Sequence, residues 1–366
     1  MKIPLTAPYF TKEEEIAIAG VLRSGWVMQG PKVEKFEKKI ASYVGVKYAV
    51  AVSSGTTALH LALIALGIGV GDEVIVPSFS FIASANSILY TGAKPIFVDI
   101  DPKTYNLDPK KIEEKITKKT KAIMAVHQIG LPAEMEEIMD IAKRKKLFVI
   151  EDAACSLGAT YKGKKTGSIG DIACFSFHPR KSITTAEGGI VTTNSSKIAE
   201  LLKSLRNHGM VKKNGIETYS YLGYNYRMPD INASLGLAQF KKFNAILKRK
   251  RDLAAKYNKA FSDTENIIPP FTPSYCKHTY QSYMARVRGG RKNRDRILKG
   301  LEEKGIACRA GVTAIHREPL YKKMFGEISL PQTESANDEG IIIPLYMQMT
   351  DKEQQFVIDA LKELTL

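Results

Sequence analysis

The stretch "FSFHPRKSITTAEGGIVTTN" occupies Phe175 to Asn194. An apolar run, Ile172 to Phe177, breaks at His178-Pro179 and is followed at once by two cations, Arg180 and Lys181. Small polar residues and Glu187-Gly188-Gly189 then lead into a second β-rich run. This is the pattern of a strand, a tight turn and a further strand. Lys181 is either an ordinary surface lysine or an amine held at a strand end for use. Upstream, from about residue 48, further β-branched runs recur: "YAVAVSS", "EVIVPS", "PIFVDID", "AIMAVHQ" and "LFVIED". Helical patterns such as Thr57 to Leu66 and Met135 to Arg144 separate them. Strands without polar alternation, alternating with helices, predict an α/β domain whose sheet is mostly parallel and covered on both faces.

The flanking segments extend this plan. Thr11 with Glu14, and Thr350 with Glu353, have the spacing of capping boxes, which predicts a helix at each end of the chain. A helical stretch from Ala233 to Ala260 leads to a second region. There "YQSYMARV" reads as a strand and "NRDRILKGLEEKG" as a helix stopped by Gly305. We expect a large α/β domain over residues 1–240 and a smaller C-terminal α+β domain over 241–366.

The 366 residues are 44% apolar and 25% charged, an ordinary globular composition. No uncharged apolar segment is long enough to span a bilayer, and "MKIPLTAPYF" lacks a signal peptide's apolar core. Cys155, Cys174, Cys276 and Cys308 are scattered, which fits a reducing cytoplasm. The formal net charge is +16. Its basic clusters, "KRKK" at 143–146 and "KRKR" at 248–251, lie in helical patterns without interleaved aromatics. We read them as solvated faces, with no nucleic-acid partner and no membrane, in a field that attracts anionic small substrates. No metal site is expected.

Ligands of open parallel sheets bind beyond the carboxyl ends of the strands. Polar residues there include Ser54-Gly55-Thr56-Thr57, Pro77 to Phe81, His127, Glu151-Asp152, Ser176 and Lys181. All are candidates for one rim. "SSGTTALHLAL" puts a helix start after a strand, which is either an anion site or a plain cap. Asp152 ends an apolar strand and needs a partner, either a structural arginine or a protonated ring nitrogen. A lysine in a dry pocket beside another cation is a nucleophile for carbonyls. With Phe81 as an aromatic plate, these are the parts of a pyridoxal phosphate site.

The sequence resembles the DegT/StrS-type sugar aminotransferases almost end to end. The matching motifs are "SGWVMQGPKVEKFE", "SSGTTALHLAL", "VIVPSFSFIASANSI", "GAKPIFVDID", "EDAACSLGA", "GDIACFSFHPRKSITTAEGG", "RNHG" and "GYNYRMPDINASLG". The resemblance implies a fold-type-I transferase with a large three-layer domain and a smaller C-terminal one. It implies an enzyme that uses pyridoxal 5′-phosphate, held as an internal aldimine at Lys181. Asp152 then faces the pyridine nitrogen, Phe81 and Ala154 flank the ring, and Gly55, Thr56 and Ser176 hold the phosphate. Asn225 of "GYNYR" reaches the neighbouring subunit's phosphate, so a homodimer with shared sites is implied. Tyr224 and Arg227 belong either to the site or to dimer packing. Where relatives carry glutamine or histidine near the ring hydroxyl, this chain has Cys155, either a weak donor or a small buried hydrophobe.

The implied reaction is ping-pong transfer of an amino group from L-glutamate to a keto sugar (4-keto-6-deoxy or 3-keto) on a nucleotide diphosphate, in amino-sugar biosynthesis. Lys181 and Asp152 are the catalytic pair. Some relatives that dehydrate sugars carry histidine in place of the lysine, a chemistry Lys181 argues against. Trp26, Gln29 and Gly30 match a segment that lines the sugar pocket, although Trp26 fits a core position equally. His316 in "AIHREPL" is either close to substrate or on a surface turn. Two other functions remain: a cyclitol (scyllo-inosose) aminotransferase using L-glutamine, and a non-enzymatic regulator that binds the cofactor.

Overall fold

The structure, a computed structural model, describes residues 2–366. Apolar strands need cover on both faces, and seven of them share one sheet. They are β1 (Tyr48–Val52), β2 (Glu73–Pro77), β3 (Lys94–Val98), β4 (Thr120–Val126), β5 (Phe148–Asp152), β6 (Ile172–Ser176) and β7 (Gly189–Thr193). Their spatial order is 1-7-6-5-4-2-3. β7 lies antiparallel between β1 and β6, while the remaining pairings are parallel. The mostly parallel sheet is therefore mixed, as expected.

Seven helices precede or cover it: α1 (Lys12–Ser24), α2 (Pro31–Val44), α3 (Gly55–Ala65), α4 (Ala83–Tyr90), α5 (Met135–Lys145), α6 (Ser196–Leu205) and α7 (Asp230–Phe261). On one face, Leu59 and Leu63 of α3, Ile88 of α4 and Leu202 of α6 pack on Val50, Val76 and Met124. On the other, Phe36 and Ile40 of α2 and Phe243 of α7 meet Ala51, Phe175 and Ile190. Helix α5 adds Met135 and Ile138 against Ile75 and Ile123. Three layers result. Both expected capping boxes form, at Thr11/Glu14 and at Thr350/Glu353.

A second sheet contains β8 (Ile267–Ile268), β9 (Tyr283–Val287), β10 (Arg309–Ala310) and β11 (Gly340–Ile343), in the order 8-9-11-10. It packs with Ile297 and Leu301 of the helix Gly290–Glu303 and with Val357 and Leu361 of the helix Asp351–Thr365. Leu253, Tyr257 and Phe261, from the second half of α7, join that cluster, as does Ile3. The residue-240 division thus falls inside one helix whose two halves serve different cores.

The reading of both basic clusters as solvated faces fails in part. Lys143, Arg144 and Lys145 end α5 in solvent, but Lys250 on α7 is only 4% exposed. Arg251 turns inward as well, donating to the carbonyls of His278 and Gly158 at 2.9 and 3.1 Å. The cause is α7 itself, which runs between the two cores and leaves only one stripe, through Lys241, Ala245, Lys248, Asp252 and Lys256, in solvent.

Helix α2 shows how distant segments hold the frame. Its first turn has no side-chain cap of its own. The carboxylate of Asp230, at the start of α7, accepts from the N–H groups of Gly30, Lys32 and Val33 at 2.9–3.0 Å. Asp230 is buried, so removing it leaves these donors without water or protein partners. Asp230→Ala should cost about 2–3 kcal/mol, read as a lower urea midpoint with an unchanged slope.

Candidate active site

The site begins where β5 ends. A strand sends successive side chains to opposite faces, so Glu151 and Asp152 part company. Glu151 turns into the protein with His127, whose Nε2 lies 2.9 Å from Glu151 Oε2. Ala133 N–H donates to His127 Nδ1 at 3.1 Å, so the imidazole proton sits on Nε2 and points at the carboxylate. The N–H groups of Gly167, Ile169 and Gly170 each donate to Glu151 at 2.8 Å. Burial opposes the charge, but these hydrogen bonds outweigh it and hold the Glu151 carboxyl below its usual range. Both side chains are 0% exposed. The expectation that His127 and Glu151 share the ligand rim is therefore corrected: they form its foundation.

Asp152 faces the opposite way. Ser84 Oγ donates to Asp152 Oδ2 at 2.7 Å, and Ala154 N–H reaches Oδ1 at 3.2 Å. Ser80 Oγ lies 2.7 Å from Ser84 Oγ, so a short hydroxyl chain runs from the end of β2 to the carboxylate. Asp152 is buried and forms no ion pair among the described residues. The structural-arginine alternative is excluded.

Lys181 stands in one cleft with Ala154, Cys155, Ser176 and Gln281. Its turn is tight: Lys181 N–H donates to His178 O at 2.8 Å, and His178 Nδ1 accepts from Arg180 N–H at 3.2 Å. The Lys181 amine lies 3.2 Å from Cys155 Sγ. Cys155 is half-buried and polar-paired, so the reading of it as an inert buried hydrophobe is corrected as well.

The start of α3 closes the cleft from β1. Ser54 caps it, accepting from Thr57 N–H at 3.1 Å. A Cβ on Gly55 would come within 2.8 Å of Ser176 Cβ, so glycine alone lets this helix start approach β6. Gly55, Thr56 and Ser176 thereby present N–H and hydroxyl donors at a helix N-terminus of eleven residues. Phe81 projects beyond β2 with 71% of its surface exposed, and its carbonyl accepts from Ser84 N–H at 3.1 Å.

Other expected residues lie elsewhere. Trp26 is 53% exposed, which overturns its core alternative; it packs on Gly30 and donates to Gln29 O at 3.3 Å. Asn225 is exposed, pairs with Asn207 in a short bridge, and is not part of this chain's Lys181 cleft. Arg227 donates to Asn207 Oδ1 at 2.7 Å. His316 is buried rather than on a surface turn, with Nδ1 2.7 Å from Ser78 Oγ and Nε2 3.3 Å from Glu334. Sequence reasoning missed two residues of the site. Ser84 is hidden in an apolar helical context, although its place three residues after Phe81 pointed to the strand end. Lys250 was masked by its basic neighbours.

An amine without an acidic partner, a buried carboxylate without a cation, and a donor-rich helix start make up a site fitted to a pyridine aldehyde carrying a phosphate. The comparisons agree. The DegT/DnrJ/EryC1/StrS aminotransferase family pattern matches residues 8–362, and the chain belongs to that family. It is 40% identical to GDP-perosamine synthase of Caulobacter vibrioides over 99% of this chain and 98% of that protein. The putative sugar aminotransferase Spr1654 of Streptococcus pneumoniae, solved in PLP and PMP forms, superposes with a TM-score of 0.96. In its PLP form it shares 30% identity over 100% of this chain and 99% of that one. Helicobacter pylori PseC, an aminotransferase of pseudoaminic acid biosynthesis, gives 0.94 at 30% identity, covering 100% and 99%. The chain is a pyridoxal-phosphate-dependent aminotransferase of the fold-type-I architecture.

The Glu151 pair yields a pH prediction. Its folded pKa lies below the ordinary value, so its stabilisation is complete above that value and lost as pH falls through the folded one. Glu151→Gln should cost about 3 kcal/mol near neutrality, and the deficit should shrink as pH falls below the ordinary carboxylate range. Urea unfolding across that range checks the sign.

Proposed function

We propose that this enzyme moves an amino group from L-glutamate to a keto sugar carried on a nucleotide diphosphate. The observation that carries this reading is the pairing of Lys181, which has no carboxylate partner, with Asp152, which has no cation, at one end of the sheet. In this reading Lys181 would hold the cofactor, Asp152 would meet its ring nitrogen, Phe81 and Ala154 its ring faces, and Gly55, Thr56 and Ser176 its phosphate. Cys155, 3.2 Å from the Lys181 amine, would stand beside the same ring. When bound, pyridoxal phosphate supplies the electron sink that lets a C–H bond beside the transferred nitrogen ionise.

The chain's own residues do the rest. The Lys181 amine takes the proton from the donor's α-carbon and later returns one to the sugar carbon. Asp152 keeps a negative charge where the ring nitrogen must stay protonated, and Ser84 and Ala154 hold that carboxylate in place. The net charge of +16 suits an anionic diphosphate substrate. The sugar pocket is assigned to Trp26, Gln29, Gly30, Arg227 and His316. For His316, its tie to Ser78 makes it a wall of that pocket rather than a mobile base.

A homodimer completes this reading. Asn225 lies outside its own chain's cleft, and Tyr219, Tyr221 and Leu222 nearby expose apolar surface. Both features support a neighbour that receives Asn225 at its phosphate. Among the described residues no helix is long and apolar enough to cross a membrane, and all four cysteines are free. The free cysteines support a reducing cytoplasm as its compartment in this reading.

Borohydride should trap the cofactor on a peptide containing Lys181. Lys181→Ala should lose at least about a thousandfold in the half-reaction with L-glutamate; full activity in that variant overturns the reading. Supplying the aminated enzyme with keto-sugar nucleotides and, separately, with scyllo-inosose identifies the acceptor by the return of the cofactor's absorbance. Gly55→Ala sets a methyl group against Ser176 and should weaken cofactor binding about tenfold or more in an absorbance titration, with folding retained.

A further inference from the structure

Lys250 is a buried amine that the reaction above does not use. It sits in the middle of α7, 4% exposed, and forms no ion pair among the described residues. Its Nζ donates to Gln281 O at 2.9 Å and lies 3.5 Å from Ser182 Oγ. Ser182 is the neighbour of Lys181, and both lysines line the same recess beneath the cleft. Gln281 continues the connection, for its side chain donates to Arg180 O at 2.9 Å. Lys250 thus grips the catalytic turn from below at two points, one direct and one through Gln281.

A lysine buried with only a carbonyl and a hydroxyl for company is costly. Such arrangements concentrate where charge is used. The groups facing Lys250 are Lys181 from the turn after β6, Cys155 from the loop after β5, His278 and Arg251 from the adjoining segments, and Tyr9 and Tyr346 across the recess. No carboxylate is among them. Burial pulls the Lys250 amine down to about 7; Cys155 acts in the opposite direction, and the neighbouring Lys181 charge adds a smaller downward pull.

We propose that Lys250 is a positioning residue for Lys181. Its amine fixes the Arg180–Ser182 turn through Ser182 and Gln281, and so sets where the Lys181 amine stands in the cleft. This inference rests on Lys181 being the cofactor lysine.

The test compares Lys250→Met, which keeps the shape without the charge, with Lys250→Arg, which keeps the charge at every pH. Each is prepared as holoenzyme, and the visible absorbance of the bound cofactor is followed against pH. The midpoint should move away from the wild-type value in Lys250→Met, and Lys250→Arg, which keeps a donor at that point, should lie closer to wild type. Thermal melts establish that each variant is folded, and Lys250→Gln replaces the methionine variant if that one does not fold. Midpoints that coincide in folded wild-type, uncharged and arginine proteins overturn the proposal and leave Lys250 as packing alone. Borohydride trapping separates the two readings. An adduct on Lys181 with an unmoved midpoint sinks only the role of Lys250, whereas an adduct on Lys250 sinks the assignment of Lys181.

Discussion

The side-chain alternation of a β-strand is the constraint on which this site depends. Glu151 and Asp152 are adjacent carboxylates and both buried, yet the pleat forces them to opposite faces of β5. One face supplies His127 and three N–H groups, so Glu151 is fully satisfied within the protein. The other supplies one hydroxyl and one N–H, so Asp152 retains capacity for a cation from outside the chain. Slipping the strand by one residue would exchange the two roles and destroy both. The packing around Glu151 is thus what gives Asp152 a fixed place.

Much of this was legible in residue order, and the limits were physical. Apolar runs between helical patterns announced a parallel sheet because period and burial are local properties. The capping boxes at Thr11 and Thr350 were legible for the same reason, since donor and acceptor lie three residues apart. The pairing of β7 with β1 was not, because partners about 140 residues apart leave no local mark. Lys250 was misread because a string of four cations looks solvated until a second core covers one side of the helix. His127 and Glu151 were assigned to the rim because position at a strand end does not reveal which face a side chain takes.

The residues proposed to hold the cofactor lie within the motifs that carry the family resemblance, for a geometric reason. Gly55 with Ser176, Ser84 with Asp152, and Lys181 with Cys155 are contacts between different strand ends of one sheet. Each needs a particular small or polar residue at close range, so the motifs that carry them leave little latitude. The regions assigned to the sugar pocket, around Trp26 and Arg227, lie outside this set of contacts.

The trans cap on α2 also bears on how the protein is made. The donors of Gly30, Lys32 and Val33 wait for an acceptor that is encoded about two hundred residues later. A ribosome delivers residues in order, so the first turn of α2 emerges long before Asp230 exists to hold it. β1 is in the same position, since within the sheet it pairs only with β7. The amino-terminal layer therefore cannot be sealed during early synthesis. Closure comes when α7 emerges and docks, which makes that helix the late keystone of assembly as well as the bridge between the two cores.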